Sequence, residues 1–351
     1  MKNLIIGDLS VNIPIIQGGM GIGISRSNLA SSVSRAGGIG VISGVNIGYD
    51  EDDFATNTLQ ANIRALKKHI LLAKEKSNNG IIGVNLMVAM NHYEEYVKAA
   101  IDSGCDIIIS GAGLPVKLPS LLNNNKTKIA PIVSSAKAAN ILLKMWDKKY
   151  NTTADLLIFE GPLAGGHLGF SNEELENISN IDYDSELQEI IKIANIYGSK
   201  YNKEIPVVAA GGISSSSDVK KYIDLGASGV QIGTRFVATH ECDAHINFKK
   251  AYINATKDDI IIVKSPVGLP GRAIKNKFIE DIYTSKPSIN KCYNCLTSCS
   301  PKSTPYCIST ALINAVKGNI DEALLFCGSN AYKINSLLSV QDVIDELISE
   351  L

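Results

Sequence analysis

The residues with the clearest capacity for chemistry lie in the segment EGPLAGGHLG, residues 160–169, where glycines surround one histidine, His167. The segment follows the apolar run Leu156–Phe159, which has the composition of a buried strand. Glycines accept positive φ and let a flat ligand approach the main chain, so the pattern predicts a strand that ends in a ligand-facing loop. Imidazole exchanges a proton near neutral pH, which makes His167 the candidate catalytic residue. The alternative is a tight glycine turn that carries His167 as a solvated loop residue.

Two more glycine loops indicate where a phosphate would bind. The sequence AAGGISSSSD spans residues 209–218, and QIGTRF spans residues 231–236. If they follow the last two strands of a barrel, they form the usual phosphate-binding site of that fold. The residues alone leave open whether the phosphate belongs to flavin mononucleotide (FMN) or to a sugar phosphate, and glycine-mediated packing is the alternative to a site.

The elements that must position these loops are eight short apolar strands, which alternate with segments of helical periodicity. Such alternation is typical of βα units around a parallel sheet. The predicted strands are Ile13–Gln17, Ile39–Ile42, Ile82–Leu86, Ile107–Ser110, Ile129–Val133, Leu156–Phe159, Pro206–Ala210 and Gly229–Ile232. The predicted helices are Asn28–Ala36, Thr58–Ser77, His92–Ser103, Ala136–Lys148, Ser185–Tyr197 and Ser217–Leu225. Pro115 and Pro119 leave room for only a short helix after the fourth strand.

We therefore predict an α/β fold, a (β/α)8 TIM barrel, with a doubly wound open sheet as the alternative. Glycines follow the carboxyl ends of the strands, which form the catalytic face of a barrel. These glycines are Gly18, Gly19, Gly111, Gly161, Gly211 and Gly233. A dinucleotide-binding sheet would place its fingerprint after the first strand, but the G-x-G of residues 19–21 lacks the acidic residue expected about 20 positions later.

The composition favours a small-molecule role. The chain has 351 residues, of which 45% are apolar and 20% charged, and its formal net charge is -1. Interspersed charges of both signs give no support for nucleic acid or an anionic membrane as partner. No run approaches the ~20 apolar residues of a membrane span, and residues 1–17 lack the apolar core of a secretory signal. Seven cysteines in such a chain indicate reduced thiols and a cytoplasmic location.

Two polar insertions and a cysteine-containing C-terminal extension depart from the barrel pattern. The insertions lie near residues 49–61 and 171–185, and each is interpreted either as a lid or as a solvated surface loop. We place the barrel in residues 1–285. Residues 286–351 are predicted to form a Cys-rich loop and a helical extension packed on the barrel, with helices at Ile308–Lys317 and Val340–Leu351.

The cysteine-rich loop is a candidate metal site. Its thiols are Cys292, Cys295, Cys299 and Cys307, four within 16 residues, which is close enough for one loop to bind a metal or an iron–sulfur cluster. The alternative is a set of reduced structural cysteines that includes a redox-labile pair, with Cys327 as a separate core thiol.

Five motifs together resemble the nitronate monooxygenase family, formerly called 2-nitropropane dioxygenases. They are IQGGM at residues 16–20, GVN at 83–85, Glu160 with AGGH at 164–167, AAGGI at 209–213 and VQIGTRF at 230–236. The same set is shared by the FMN-dependent enoyl-acyl-carrier-protein reductases of type II. Many nitronate monooxygenases carry glutamine where Glu160 stands, and the segments AHIN at 244–247 and RAIKN at 272–276 also resemble the reductases.

The resemblance implies a barrel that binds FMN non-covalently. The FMN phosphate would rest on Gly211, Gly212, Gly233 and Thr234. Asn85, Glu160, Gly165 and Gln231 would line the cofactor, and Gly18, Gly19 and Met20 would bring main chain against the flavin ring. His167 would accept a proton from a nitroalkane or stabilise an anionic nitronate.

The implied activity is the oxidation of alkyl nitronates with O2 to carbonyl compounds and nitrite. The alternative is an NAD(P)H-dependent enoyl-acyl-carrier-protein reductase or flavin reductase, in which NAD(P)H is a co-substrate and an enoyl thioester or another acceptor replaces the nitronate. A third alternative is a barrel lyase or isomerase without flavin. Such an enzyme would need a Schiff-base lysine, and the predicted strand ends carry none. A flavin-binding sensor is a further alternative, but it would not explain why a histidine lies in the glycine loop at position 167. A homodimer is the candidate assembly, and the sequence leaves the oligomeric state open.

Overall fold

Eight parallel strands form the central sheet of the computed structural model, which describes residues 2–284, 289 and 291–351. The chain's strands outside this sheet are β1 (Leu4–Ile6), β2 (Leu9–Val11), β9 (Gly166–His167), β12 (Ile260–Lys264), β13 (Pro270–Ile274) and β14 (Leu325–Phe326). The eight are β3 (Ile15–Gln17), β4 (Gly40–Ser43), β5 (Ile82–Met87), β6 (Ile107–Gly111), β7 (Lys128–Val133), β8 (Leu157–Glu160), β10 (Val207–Ala210) and β11 (Gly229–Ile232).

The sheet closes on itself, which confirms the (β/α)8 barrel. Its order is β3-β11-β10-β8-β7-β6-β5-β4, and a parallel bridge between Ile16 and Ile39 joins the first strand to the last. The buried side chain of Gln17 strengthens this seam, because its Oε1 accepts from the Val41 amide at 3.0 Å and its Nε2 donates to Ser25 Oγ at 2.9 Å. The predicted strands lie within one or two residues of those observed.

Helices surround the barrel and cover its outer face with apolar side chains. They are α1 (Ser27–Arg35), α2 (Thr58–Lys76), α3 (Tyr93–Asp102), α4 (Ala136–Tyr150), α5 (Asn172–Glu176), α6 (Tyr183–Lys200), α7 (Ser216–Asp224), α8 (Thr234–Val237), α9 (Ile246–Asn254), α10 (Lys277–Thr284), α11 (Ile308–Lys317) and α12 (Val340–Ile348). After β6 the chain forms only a 3-10 turn, Leu118–Leu121, which contains Pro119 and follows Pro115.

The last helix of the chain completes the helical ring. α12 packs between α7 and α1, and its Val340, Val343, Ile344 and Leu347 are buried in the barrel's outer core. In the other direction, β12 and β13 form an antiparallel sheet with β14 of the extension and with β9. Residues on both sides of position 285 therefore pack together in the helical ring and in the small sheet. The division into domains at that position stays a prediction. Residues 286–288 and 290 of the predicted Cys-rich loop, and residue 285 before it, lie outside the described residues.

An N-terminal hairpin, absent from the sequence predictions, closes the amino-terminal end of the barrel. β1 and β2 pair antiparallel, and Leu4, Ile6 and Val11 are buried with the side chains that fill the barrel interior. The strands of this hairpin are too short for their period-two pattern to be distinguished from an irregular apolar segment.

Candidate active site

A cavity of about 270 Å³ opens at the carboxyl ends of the barrel strands. The structure brings together in its wall every residue that the sequence assigned to the cofactor or to catalysis. These are Gly18, Gly19, Met20, Asn85, Glu160, Gly165, His167, Gly211, Gly212, Gln231, Gly233 and Thr234. Strand ends position them because parallel strands of a barrel deliver their following loops to one face.

The loop that carries His167 is held by β13 and by the extension, and not by the eight strands of the barrel sheet. Gly166 and His167 form β9, which pairs antiparallel with Arg272 and Gly271 of β13. The buried guanidinium of Arg272 donates to the carbonyl of Ala164. A Cβ on Gly165 would lie 2.6 Å from backbone atoms of residues 327 and 328, so only glycine allows this close approach.

His167 is a neutral imidazole in this environment. Its Nε2 lies 2.7 Å from Ser265 Oγ, and its ring meets the ring of Phe326 edge-on with centroids 4.9 Å apart. Burial lowers the pKa of His167 to about 4, because the charged form would lose its hydration. Near neutral pH the imidazole is therefore uncharged, with one nitrogen that can donate a hydrogen bond and one that can accept.

Glu160 is a second titratable group in the cavity wall. It ends β8, and burial raises the pKa of its carboxyl to about 7. No hydrogen bond to its carboxyl oxygens occurs in the part of the chain that the structure describes. A carboxyl in this state is divided between its neutral and ionised forms near pH 7, so it can donate or accept toward a bound ligand.

The two glycine loops leave main-chain donors without protein partners in residues that line the cavity. Gly211 and Gly212 have φ of 99° and 77°, which favours glycine. The amides of Gly212 and Gly233 donate to no acceptor within residues 2–284, 289 and 291–351. The Gly212 carbonyl accepts from Asn330 Nδ2 at 2.6 Å, which holds this loop to the extension.

The serines after the first loop serve mainly to begin the next helix, as their N-cap residue types predict. The carboxylate of Asp218 already accepts the amides of Ser214 and Ser215, at 2.9 and 3.0 Å. Ser215 in turn caps α7 through a capping box with Asp218. Two of the four serine amides of this segment are therefore already paired within the protein.

Unpartnered polar groups in the wall fit a flat, polar cofactor. Gln231 Oε1 is buried and, among the described residues, has no hydrogen-bond partner. A Cβ on Gly19 would overlap the side chain of Asn85, so the glycine lets the first βα loop lie directly against that amide. Since buried polar atoms without partners cost free energy, groups such as Gln231 Oε1 and the Glu160 carboxyl are expected to be satisfied by a ligand.

The sequence did not predict the residues that cover the cavity. Neither insertion contributes a side chain to the wall among the residues described, so the structure gives no support for a lid there. The cover comes from the extension and from the end of β5. It consists of Met87, Cys295, Leu296, Ile308, Ser309, Leu312, Phe326, Cys327, Gly328 and Asn330. No local pattern marks these residues, because they lie far along the chain and only tertiary packing brings them here.

The cysteine-rich loop is docked on the barrel, and one of its thiols reaches the cavity. Asn91 donates from its backbone amide to the Cys295 carbonyl at 3.1 Å, and Leu296 forms a bridge with Met90. Cys295 lines the cavity, whereas Cys292 is exposed. No group of three or more His, Cys, Asp or Glu side chains arranged to hold a metal ion is present within the described ranges. All seven cysteines are free thiols, and burial raises the pKa of Cys327 to about 12.

The described helices include none with the length and apolarity that a membrane crossing requires.

Comparison with known proteins agrees with the geometry of the cavity. The family model "Nitronate monooxygenase" matches residues 2–350. A probable nitronate monooxygenase of Staphylococcus aureus is 28% identical over 300 residues, which cover 80% of each chain. FabK from Thermotoga maritima superposes with a TM-score of 0.73 and 26% identity, covering 97% of this chain and 93% of that one.

A nitroalkane oxidase from Streptomyces ansochromogenes shares the fold, with a TM-score of 0.74, 20% identity and coverage of 97% and 96%. The family model extends over nearly the whole chain, including both glycine loops, the His167 loop and the extension that covers them. The chain therefore belongs to the nitronate monooxygenase family of FMN-dependent oxidoreductases.

Proposed function

We propose that this enzyme is a cytoplasmic nitronate monooxygenase, which oxidises alkyl nitronates with O2 to carbonyl compounds and nitrite. The observation that carries the proposal is a neutral, partly buried His167 in the wall of a cavity that also contains main-chain amides without protein partners. A nitronate is a small anion, and a polar hydrogen bond in a water-poor cavity stabilises its charge far better than the same bond in water.

FMN is the cofactor that fits these residues. Gly211, Gly212, Gly233 and Thr234 would hold its phosphate, and Asn85, Glu160 and Gln231 would satisfy the polar edge of its ring system. Gly18, Gly19, Met20 and Gly165 would place main chain beside the ring. When bound, FMN supplies the electron acceptor for the nitronate and the site at which O2 is subsequently used.

The chain's own residues bind and orient the substrate. His167 would contact the nitro group of the nitronate. The apolar cover, with Leu296, Ile308 and Leu312, excludes water and contacts the alkyl part of the substrate. Exclusion of water also keeps the hydrogen bond of His167 strong, because no solvent competes for it.

A second candidate function is an NAD(P)H-dependent enoyl-acyl-carrier-protein reductase or flavin reductase. The apolar cover favours it, since an acyl chain is a larger apolar ligand than a short alkyl nitronate. Glu160 favours it also, because the reductases carry glutamate where many nitronate monooxygenases carry glutamine. In this case His167 would lie near the carbonyl of the enoyl thioester.

Anaerobic mixing of the FMN-loaded enzyme with single substrates separates these functions. We expect propionate 3-nitronate to change the flavin absorption spectrum without any nicotinamide nucleotide, and O2 uptake with nitrite release to follow when air is admitted. Bleaching by NADH or NADPH alone, with reoxidation by crotonyl thioester and no response to the nitronate, would identify a reductase.

The variant His167→Ala tests the residue on which the proposal depends. Loss of one stabilising hydrogen bond of this kind lowers kcat by roughly 10²–10³-fold. We expect that loss together with an unchanged flavin spectrum and FMN content, measured by absorption after gel filtration. Turnover at the wild-type rate would remove His167 from the mechanism.

A bound metal or iron–sulfur cluster at Cys292, Cys295, Cys299 and Cys307 and a homodimeric assembly remain predictions. Iron, zinc and acid-labile sulfide analysis of anaerobically purified protein tests the first, and light scattering of the FMN-loaded enzyme tests the second.

A further inference from the structure

The hydrogen bond between His167 and Ser265 fixes more than the position of the ring. Ser265 lies in the turn between β12 and β13 and is 3% exposed. Its hydroxyl oxygen is 2.7 Å from His167 Nε2, and it also accepts the amide of Val267 at 3.3 Å. The hydroxyl is therefore shared between a backbone donor and an imidazole nitrogen whose role depends on the tautomer.

The direction of this bond follows from the donors and acceptors available. Within the described part of the chain, His167 Nε2 is the one acceptor within reach of the Ser265 hydroxyl hydrogen. If Nε2 carried the ring proton instead, the Ser265 oxygen would accept twice and its buried hydrogen would have no protein partner. Buried hydroxyl groups strongly prefer to be satisfied, so the serine donates and Nε2 accepts.

A neutral imidazole with an accepting Nε2 carries its proton on Nδ1. The ring lines the cavity, whereas Ser265 lies outside its wall, so the nitrogen that remains available to a ligand is Nδ1. We infer that Ser265 is a positioning residue that locks His167 in the Nδ1-protonated form, so that His167 presents an N–H donor to the substrate and does not act as a general base.

The inference limits the kind of substrate on which the active site can act. An N–H donor stabilises negative charge on a nitronate oxygen or on a thioester carbonyl oxygen, but it cannot remove a proton from carbon. Under the proposed function, on which this consequence rests, the enzyme uses nitronates that are already deprotonated and turns over neutral nitroalkanes poorly. The assignment of the tautomer itself rests on the hydrogen bonds alone.

Nitrogen NMR of the FMN-loaded enzyme labelled with ¹⁵N-histidine tests the tautomer without any substrate. The chain has five histidines, and His167→Asn identifies the signals of His167 by their disappearance. We expect a protonated Nδ1 and an unprotonated Nε2 near neutral pH. A protonated Nε2 in the wild-type enzyme would overturn the inference.

Ser265 variants test the cause. Ser265→Ala should shift the His167 signals toward a mixture of tautomers, while Ser265→Thr, which keeps the hydroxyl, should preserve the wild-type pattern. Ser34→Ala is the matched control, because Ser34 is also a buried serine but lies in α1, away from the cavity. A Ser265→Ala spectrum identical to that of the wild type would show that the serine does not select the tautomer.

Substitution of His167 itself tests the consequence for turnover of a nitronate. Asparagine places an amide N–H near the position of imidazole Nδ1 but cannot serve as a base. We expect His167→Asn to retain roughly tenfold more nitronate turnover than His167→Ala, in keeping with the value of one retained donor. Equal loss in both variants would contradict the donor role. An enzyme that ignores nitronates altogether would instead refute the proposed function and leave the NMR result intact.

Discussion

The two ends of the barrel are built from the same eight strands but are closed in opposite ways. At the amino-terminal end, the hairpin inserts Leu4, Ile6 and Val11, each no more than 1% exposed, into the barrel interior. Outside this plug, Lys128 pairs with Asp8 at 2.5 Å. At the carboxyl-terminal end, glycines replace side chains and leave amides, Gln231 Oε1 and the Glu160 carboxyl facing a cavity.

The difference teaches how stability and function are separated in this molecule. An apolar plug gains free energy from burial and leaves no polar group unsatisfied. The other end leaves polar groups without protein partners, which lowers stability until a ligand supplies them. We expect variants at one end to affect folding and variants at the other to affect the cofactor.

The largest effect should come from Gly233→Asp at the functional end. A carboxylate there would repel the FMN phosphate, and we expect FMN affinity to fall by roughly 100-fold or more. Fluorescence titration of the apoprotein with FMN measures it. Gly233→Ala is the control, because the nearest atom to its Cβ, Met20 Sδ, is 3.4 Å away, an ordinary contact, so binding should be kept. Full FMN occupancy in the aspartate variant would contradict the assignment of the phosphate.

Ile6→Ala at the closed end should reduce stability and spare the cofactor. Truncation of a fully buried isoleucine costs about 3 kcal/mol of the free energy of unfolding. Denaturant unfolding measures this loss, and FMN affinity should stay at its wild-type value. The neighbouring Ile5 is 43% exposed on the same strand, so Ile5→Ala should change stability little. An equal loss in both variants would refute the role of the hairpin as a plug.

Glu160→Gln should produce a smaller, pH-dependent gain in stability. The folded pKa of Glu160, about 7, exceeds the ordinary value of 4.5, so the folded state holds its proton more tightly than the unfolded state. Ionisation therefore costs stability progressively as pH rises from about 4.5 to 7, and glutamine avoids that cost. We expect a Tm higher by roughly 2–4 °C near pH 8.5 and little change near pH 5 in thermal melts. The same gain in Tm at both pH values would argue against a cost of ionising the buried Glu160 carboxyl.

Local sequence predicted the barrel because its signals are local. Apolar runs such as Ile82–Leu86 identify strands covered on both faces, and glycines at strand ends identify the ligand-binding face. Sequence patterns predicted α11 and α12 but missed the strands β12, β13 and β14, the last of which is only two residues long and pairs with β13 far earlier in the chain. For the two insertions the sequence left a lid and a surface loop as alternatives. In the structure Tyr183, near the end of the second insertion, packs against Gly161, and its hydroxyl donates to the carbonyl of Ala210 at 2.9 Å.

The sequence by itself determined the fold class, the face of the barrel at which the cavity opens, and the identity of His167 as the group to test, since each follows from residue types within a few positions. Only the tertiary structure decided that the extension covers the cavity, that α12 completes the barrel, and that Ser265 contacts His167. The physical reason is that these contacts join segments about a hundred residues or more apart, where hydrogen-bond geometry and close packing, rather than local periodicity, select the partner.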